Sequence, residues 1–322
     1  TRCGWLSRGL GDVYKRQAYD KAVRDLQLAL GTETRRAAWR DLAAVGSVQT
    51  ALGELREQLA GLGRLLEDLA GRGKGLAGCF DRCTTMVEGL SQLCDRDSSE
   101  EIRWYETQPR SFRLNCTPLE IDQVFQSQMQ RHPGAWVFTS ATLAVGEGFD
   151  HFCAQLGLED AVTRRWDSPC DYPQQALWFV PRGLPDPGSS QYTLGVCALA
   201  EQVLAASRGR AFLLFTSHRA LQTAAGHLKG RTPYPMLVQG DAPRSELLER
   251  FRELGNGVLL GTSSFWEGVD VRGAALSCVI IDKLPFASPG DPVLQARIDA
   301  LRARGGNPFW EYQLPEAVIA LK

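Results

Sequence analysis

Apolar runs of strand length alternate with helix-length segments in the second half of the chain, from about Trp166 onward. The candidate buried strands are residues 176–181, 210–217, 235–240, 257–262 and 276–285. Helical patterns separate them, at 192–207, 218–229 and 244–254. Buried strands with helices of this length between them are typical of a doubly wound, mostly parallel sheet. The sequence therefore predicts an α/β fold, and side chains that carry function are expected at the carboxyl ends of its strands.

A leucine stripe characterises the preceding region, in which the pattern from Ala18 to about Leu93 is helical. The leucines recur at spacings of three and four residues, and they are Leu52, Leu55, Leu59, Leu62, Leu66 and Leu69. This spacing places them on one face of a helix. Two arrangements would bury that face. A helical bundle that packs on itself is favoured over a coiled-coil dimer.

Shorter elements are predicted around these two regions. Residues 102–121 have the pattern of two short strands followed by a turn at Thr117-Pro118. A helix is predicted from Leu119 to about Gln130, and the run AWVFTSATL predicts a strand that ends in Ser-Ala-Thr. The last seven residues, EAVIALK, are predicted to be helical without a terminating cap. Residues 1–17 have no periodicity and are interpreted as a non-native tail.

Composition limits the possible functions only broadly. The net charge is −1, so no overall basic field indicates a nucleic-acid partner, although a local basic track is compatible with it. No apolar stretch approaches the roughly 18 residues of a membrane span. Three of the nine cysteines, Cys79, Cys83 and Cys94, raise the question of a metal or Fe–S site. Their spacing matches no standard ligand pattern, which favours ordinary buried thiols.

Short polar side chains follow four of the apolar runs. These segments are Thr139–Thr142, Thr216–Arg219, Gln239–Asp241 and Thr262–Ser264. Hydroxyl groups and free backbone N–H groups at strand-to-helix turns suit phosphate oxygens. Serine and threonine are also the usual helix N-cap residues, so each segment alone has a purely structural interpretation. Four such segments in alternating units favour a phosphate-binding function.

Taken in order, these segments resemble the motifs of a known family. VFTSATL is similar to helicase motif III, FLLFTSHRAL to motif IV, LVQGDAPRSELLERFR to the segment that follows it, and VLLGTSSFWEGVDVRG to motif V. The set resembles the XPD/DinG group of superfamily 2 ATP-dependent DNA helicases. IRWYE, FRLNCTPLEI, LPFASPGDPV and GGNPFWEYQLPEAVIALK bring the resemblance to the bacterial YoaA/DinG-like branch. The resemblance covers about residues 18–322 and is strongest from residue 102 onward.

The resemblance implies a motor with two RecA-like domains around ATP and Mg²⁺. Residues 18–130 would form an Arch-like helical insertion with short strands. Residues 131–165 would form the end of RecA-like domain 1, and residues 166–322 a RecA-like domain 2 that is cut before motif VI. Such a protein translocates 5′ to 3′ on single-stranded DNA and unwinds duplexes in DNA repair.

The same resemblance assigns roles to individual residues. Those that would couple ATP to DNA are Ser140, Ala141, Thr142, Glu267, Gly268 and Asp270. Those that would bind nucleic acid are Ser217, Arg219, Gln239, Thr262, Ser263 and Trp266. Structural alternatives remain open for several of them. Ser217 and Arg219 would simply begin a surface helix, Gln239 would satisfy backbone groups at a strand end, and Phe265 and Trp266 would pack beneath the turn.

Three motifs of the family do not occur in the 322 residues. There is no G-x-x-x-x-G-K-[ST] phosphate loop and no DEAH carboxylate pair. We expect both to lie upstream of the insertion, together with the four cysteines of a 4Fe-4S cluster. Motif VI is expected just after Lys322. No catalytic site is therefore expected to be complete in this chain, no metal ligands are assigned to it, and the chain alone is expected not to hydrolyse ATP.

Partners and location follow from the same resemblance. The expected partners are single-stranded DNA and forked or duplex DNA, with no membrane and a monomeric state. The expected location is the bacterial cytoplasm, in association with the nucleoid. One alternative is a non-catalytic module for nucleic-acid or protein interaction with a RecA-like fold. A hydrolase triad built on Ser217 and His218 is disfavoured, because adjacent residues on one turn are poorly placed to hydrogen-bond and no G-x-S-x-G elbow occurs.

Overall fold

A computed structural model describes residues 10–95, 100–266 and 268–321. The helices in these ranges are α1 (Leu10–Leu30), α2 (Arg40–Ala43), α3 (Gly46–Ala70), α4 (Lys74–Asp95), α5 (Asp122–Arg131), α6 (Asp150–Leu156), α7 (Tyr172–Gln175), α8 (Tyr192–Ser207), α9 (His218–Leu228), α10 (Arg244–Leu254), α11 (Pro292–Ala303) and α12 (Leu314–Leu321). The strands are β1 (Arg35–Ala38), β2 (Glu101–Gln108), β3 (Ser111–Pro118), β4 (Ala211–Leu214), β5 (Met236–Val238), β6 (Val258–Gly261) and β7 (Cys278–Ile281).

The chain divides into two compact units. The first contains the described residues up to Pro133, together with Gln155–Gly157 and Ala287–Pro308. The second contains Gly134–Ala154, Leu158–Phe286 and the described residues from Phe309 onward. Helix α1 begins at Leu10, within the segment that was interpreted as a tail. The assignment of the segments to the family's Arch-like and RecA-like domains stays a prediction.

A helical core stabilises the first unit. Helices α3 and α4 are joined by a short turn and pack together, and α1 packs on α3. Four leucines of the stripe, Leu52, Leu55, Leu59 and Leu66, are buried in this core, and Leu62 packs against it. Full burial of each such side chain contributes about 1.5–3 kcal/mol. The stripe is thus buried within the chain, as predicted for a bundle that packs on itself.

A three-stranded antiparallel sheet of order β1-β2-β3 completes the first unit. The predicted pair of strands is confirmed as the β2–β3 hairpin, and the predicted helix after it as α5. The helical pattern predicted from Ala18 to about Leu93 is wrong at Arg35–Ala38, which forms β1. This strand has little β propensity of its own, and its pairing with β2 places Ala37 opposite the buried Tyr105.

A parallel sheet of order β5-β6-β4-β7 forms the centre of the second unit. Successive residues of β4 point to opposite faces. Leu213 belongs to a core with α8 and α9, whereas Phe212 and Leu214 belong to a core with α10. Phe212 packs edge-on against Phe251 of α10 at 4.8 Å between ring centroids. Helices therefore cover both faces, and the predicted doubly wound α/β fold is confirmed.

Two of the predicted strands do not form. The run AWVFTSATL and residues 176–181 are irregular and mostly exposed, with Val137 at 81% and Leu177 at 92% exposure. Their aromatic and β-branched residues favour strand, but a strand also needs a neighbour to receive its backbone hydrogen bonds. None of the strands in the described residues pairs with either segment. Both segments have β propensity, but neither has a neighbouring strand to pair with in the described part of the chain.

Candidate nucleic-acid interface

The carboxyl ends of the four parallel strands lie at one edge of the sheet in the second unit. Thr216 and Ser217 follow β4, Gln239 follows β5, Thr262 and Ser263 follow β6, and Asp282 follows β7. Because β4 neighbours both β6 and β7, and β6 neighbours β5, these turns are adjacent. The fold brings together three of the four polar segments that were predicted from sequence.

Gln239 and Thr262 are bonded to each other across the ends of β5 and β6. The Gln239 Oε1 atom accepts hydrogen bonds from the Thr262 N–H at 2.7 Å and from the Thr262 hydroxyl at 3.0 Å. A backbone N–H can only donate, so the atom facing it must be the amide oxygen. Thr262 is 5% exposed, and its donors are used in this way. The Nε2 group of Gln239 keeps two donors for another acceptor.

Ser217 caps helix α9 at the end of β4. Its backbone is extended, and its hydroxyl accepts a hydrogen bond from the Ala220 N–H at 3.2 Å. This is the local interaction that the structural alternative predicted. Ser217 and Arg219 are both exposed in the first turn of the helix, where the backbone N–H groups and the positive end of the helix dipole favour an anion. Ser217 can therefore cap helix α9 and still lie next to a bound phosphate.

A buried carboxylate joins β7 to the end of β4. Asp282 Oδ1 accepts a hydrogen bond from the Thr216 N–H at 3.1 Å, and the Asp282 carbonyl accepts one from the Tyr192 hydroxyl at 2.5 Å. Lys283 donates to the Pro187 carbonyl and lies over the Tyr192 ring. Burial raises the pKa of the Asp282 carboxyl, while the Thr216 and Lys283 N–H groups oppose the shift. Asp282 was not among the predicted site residues, although a single aspartate directly after the apolar run CVII was a signal for it.

The turn after β6 is anchored from helix α10. Phe265 is 2% exposed and belongs to the core, as its packing alternative predicted, and Trp266 packs half-buried beside it. Arg244 lies over the Phe265 ring and donates to the Gly268 carbonyl at 3.0 Å. Gly268 has φ +65°, a conformation that a Cβ would strain. Arg244 was not predicted to matter, although it lies in a segment whose resemblance had been noted.

The residues assigned to ATP coupling are only partly described. Glu267 lies outside the described residues. Asp270 is exposed, its carboxylate pairs with Arg272 at 3.2 Å, and its carbonyl accepts a hydrogen bond from Arg252. Ser140, Ala141 and Thr142 lie in a loop of the same unit, where the two hydroxyls are 3.1 Å apart. Their roles in coupling stay predictions.

The three cysteines that raised the question of a metal site lie in or against the helical core of the first unit. In the part of the chain that the structure describes, no group of three or more His, Cys, Asp or Glu side chains is placed to hold a metal. Cys83 is buried in the helical core, its Sγ lies 3.4 Å from the Leu59 carbonyl, and burial raises its thiol pKa. Cys79 and Cys94 pack against the same core. Ordinary packed thiols account for all three.

Comparison with known proteins supports the nucleic-acid interpretation. Residues 200–322 match the family model of the helicase C-terminal domain. The chain is 40% identical over 303 residues to the ATP-dependent DNA helicase YoaA of Haemophilus influenzae, covering 94% of this chain and 47% of that protein. It is 41% identical over 305 residues to YoaA of Escherichia coli, covering 94% and 48%. It is 38% identical over 213 residues to the ATP-dependent helicase DinG of Mycobacterium tuberculosis, covering 65% and 32%.

The chain therefore spans about half the length of the two YoaA relatives. Among the described helices, none combines the length and apolar character needed to cross a membrane. The matched motifs, the parallel sheet and these relatives agree with one another. Over most of its length the chain is therefore similar to XPD/DinG-type superfamily 2 helicases of the YoaA/DinG-like branch.

Proposed function

We propose that this chain is the C-terminal part of an ATP-dependent DNA helicase that moves 5′ to 3′ on single-stranded DNA and unwinds duplexes in DNA repair. The observation that carries the proposal is the row of polar turns at one edge of the parallel sheet, within the segment that matches the helicase C-terminal domain. Single-stranded, forked and duplex DNA are the proposed substrates. The protein would act as a monomer in the bacterial cytoplasm, on nucleoid DNA.

In this proposal the DNA backbone lies along the strand ends. Arg219 supplies an exposed charge, and Ser217 and Ser263 supply exposed hydroxyl groups. The Nε2 group of Gln239 donates to a phosphate oxygen, while Thr262 fixes the orientation of that amide. Thr262 thus acts through Gln239, which refines the role that sequence resemblance gave it. Trp266 is proposed to contact the strand only through its exposed edge.

ATP and Mg²⁺ belong to the proposed whole protein, and so does a 4Fe-4S cluster. Among the described residues, no group of three or more His, Cys, Asp or Glu side chains is placed to hold a metal, and the sequence contains no phosphate loop. We propose that this chain binds single-stranded DNA by itself and does not hydrolyse ATP by itself.

A domain exchange tests this function. Residues 18–322 would replace the matching segment of Escherichia coli YoaA, and the chimera would be assayed for ATP hydrolysis and for unwinding of duplexes with single 5′ or 3′ tails. We expect hydrolysis that depends on single-stranded DNA, and unwinding from the 5′ tail. Unwinding from the 3′ tail alone would contradict the proposed direction. An active chimera without DNA dependence would favour a non-catalytic interaction module.

The isolated chain provides the second arm of this experiment. Purified residues 18–322 would be mixed with labelled single-stranded DNA and, separately, with ATP. Binding without hydrolysis is the expected result. ATP turnover stimulated by DNA in the isolated chain would overturn the proposal that the chain is inactive as an ATPase.

A further inference from the structure

Three aromatic rings form a continuous exposed cluster in the second unit. The Phe286 and Phe309 rings stack with centroids 5.9 Å apart and an angle of 26° between their planes. Phe309 meets Trp310 edge-on at 5.3 Å. Their exposed fractions are 39%, 43% and 65%. Large rings of this kind are usually buried, so a contiguous exposed set indicates a binding surface.

Phe309 and Trp310 lie on a regular element that is anchored at its C-terminal end. Phe309 and Trp310 begin a π-helical turn at Phe309–Gln313, a rare geometry that is common at functional sites. The turn leads into α12, where Ala317 is buried and Glu316 Oε1 lies 3.0 Å from His151 Nε2. The rings are therefore presented on an anchored element, which limits the entropy lost on binding.

The position of Phe286 relates this cluster to the edge that carries the polar turns. Phe286 follows β7, which ends at the same edge as β4, β5 and β6 because all four strands are parallel. It lies four residues beyond Asp282, whose carboxylate bonds to the Thr216 N–H. Four residues span at most about 14 Å. The aromatic rings and the end of β4 are thus close enough for one extended strand of DNA to contact both.

We propose that Phe286, Phe309 and Trp310 form a stacking platform for the bases of single-stranded DNA whose phosphates lie along the strand ends. This proposal rests on the proposed function and adds a base-contacting site to it. Aromatic rings stack on any base, so the platform would bind without sequence preference. Phosphate contacts and base contacts would then be made by different residues, which makes them separable by experiment.

The test compares two ligands for each variant of the purified chain. One is a labelled oligothymidine, and the other has the same length and backbone but carries abasic sites. Trp310→Ala is expected to weaken oligothymidine binding on the order of tenfold, within the range known for loss of one stacked base. Binding of the abasic strand and the dependence of binding on salt are expected not to change. Trp310→Phe should restore most of the affinity.

Trp166→Ala is the matched control, since Trp166 is 80% exposed in the same unit and lies outside the cluster. It is expected to bind both ligands like the unaltered chain. Thermal unfolding of each variant shows whether the fold is retained, and Trp310→Phe provides the comparison if Trp310→Ala does not fold.

Four outcomes overturn the platform. Equal losses on both ligands would indicate a general structural effect, and unchanged oligothymidine binding by Trp310→Ala would show that no base stacks there. Self-association that Trp310→Ala abolishes, with DNA binding unchanged, would identify a second copy of the chain as the occupant. If the unaltered chain binds neither ligand, both the proposed function and the platform fail. In the other three outcomes only the platform fails, so the two kinds of failure can be told apart.

Discussion

The amide oxygen of Gln239 accepts both donors of Thr262, the backbone N–H at 2.7 Å and the hydroxyl at 3.0 Å. This pair joins the ends of two adjacent parallel strands and leaves the two amide donors of Gln239 for another acceptor. Two residues that sequence resemblance treated as separate DNA contacts are therefore one unit. Gln239 is the half-buried member of this unit, and the buried Thr262 holds its amide in place.

Substitutions of Gln239 separate its two roles. Gln239→Glu keeps an oxygen for both Thr262 donors but loses the amide donors and adds a negative charge. We expect nearly unchanged stability and weaker binding of single-stranded DNA. Gln239→Ala leaves the buried Thr262 donors without their partner, which should lower the free energy of unfolding by about 1–3 kcal/mol. Urea unfolding and fluorescence anisotropy measure the two effects. Equal loss of stability in both variants would contradict this assignment.

The buried carboxyl of Asp282 should give the second unit a defined pH dependence. Burial raises its pKa above the ordinary value of 3.8. The native state then binds a proton at a higher pH than the unfolded chain. Stability conferred by this group therefore falls as pH rises from the ordinary to the raised pKa, and it stays lower above that window. Asp282→Asn keeps an acceptor for the Thr216 N–H but cannot ionise.

The difference in unfolding free energy between the unaltered chain and Asp282→Asn isolates this group from other titrations. Urea unfolding of both proteins at several values between about pH 4 and pH 7 gives that difference. We expect the unaltered chain to lose stability relative to the variant as pH rises. A difference that is constant, or that grows in favour of the unaltered chain, would show that the carboxyl is not held in an unfavourable environment.

Arg244 is expected to order the turn after β6, because it contacts both the Phe265 ring and the Gly268 carbonyl. In Arg244→Ala these contacts are lost, and amide hydrogen exchange should become faster in residues 263–270. Arg250→Ala is the control, since Arg250 is exposed on the same helix. Hydrogen exchange that is equally slow in both variants would mean that the turn does not depend on Arg244.

The leucine stripe allows a test of the helical bundle against a coiled-coil dimer. Leu59 is 3% exposed within one chain. Leu59→Ala should cost about 2–5 kcal/mol of unfolding free energy. Because the stripe is buried intramolecularly, stability should not depend on protein concentration. Glu57→Ala, an exposed change on the same helix, should have little effect. An unfolding midpoint that rises with concentration would favour the dimer.

Local patterns predicted much of the second unit, because its buried strands and amphipathic helices carry strong periodic signals. Helices α8 and α10 have the predicted bounds, and all four strands of the sheet lie within predicted runs. Two of the predicted strands did not form. Leu177 and its neighbours have strand propensity, but propensity cannot supply a pairing partner. Strand β1 shows the opposite case: its residues have little β propensity, but they form a strand because they pair with β2.

The site was predictable in part for a similar reason. Hydroxyl groups after apolar runs indicated the strand ends, and the fold gathers three of those segments at one edge. The Gln239–Thr262 pair and the Asp282–Thr216 bond depend on which strands are neighbours, and strand order is not written in any local pattern. Arg244 contacts Phe265 and Gly268, which are distant from it in the sequence, so its role could be identified only from the tertiary structure.

The salt dependence of DNA binding tests the central claim most directly. The affinity of the chain for a labelled oligothymidine would be measured at several salt concentrations, with Arg219→Ala and the control Arg250→Ala. If Arg219 contacts a phosphate at the carboxyl edge of the sheet, its loss should weaken binding and reduce the slope of log affinity against log salt by about 0.7. The control should leave the slope unchanged. A full slope in Arg219→Ala, or no binding of single-stranded DNA by the unaltered chain, would contradict a phosphate contact at this edge of the sheet.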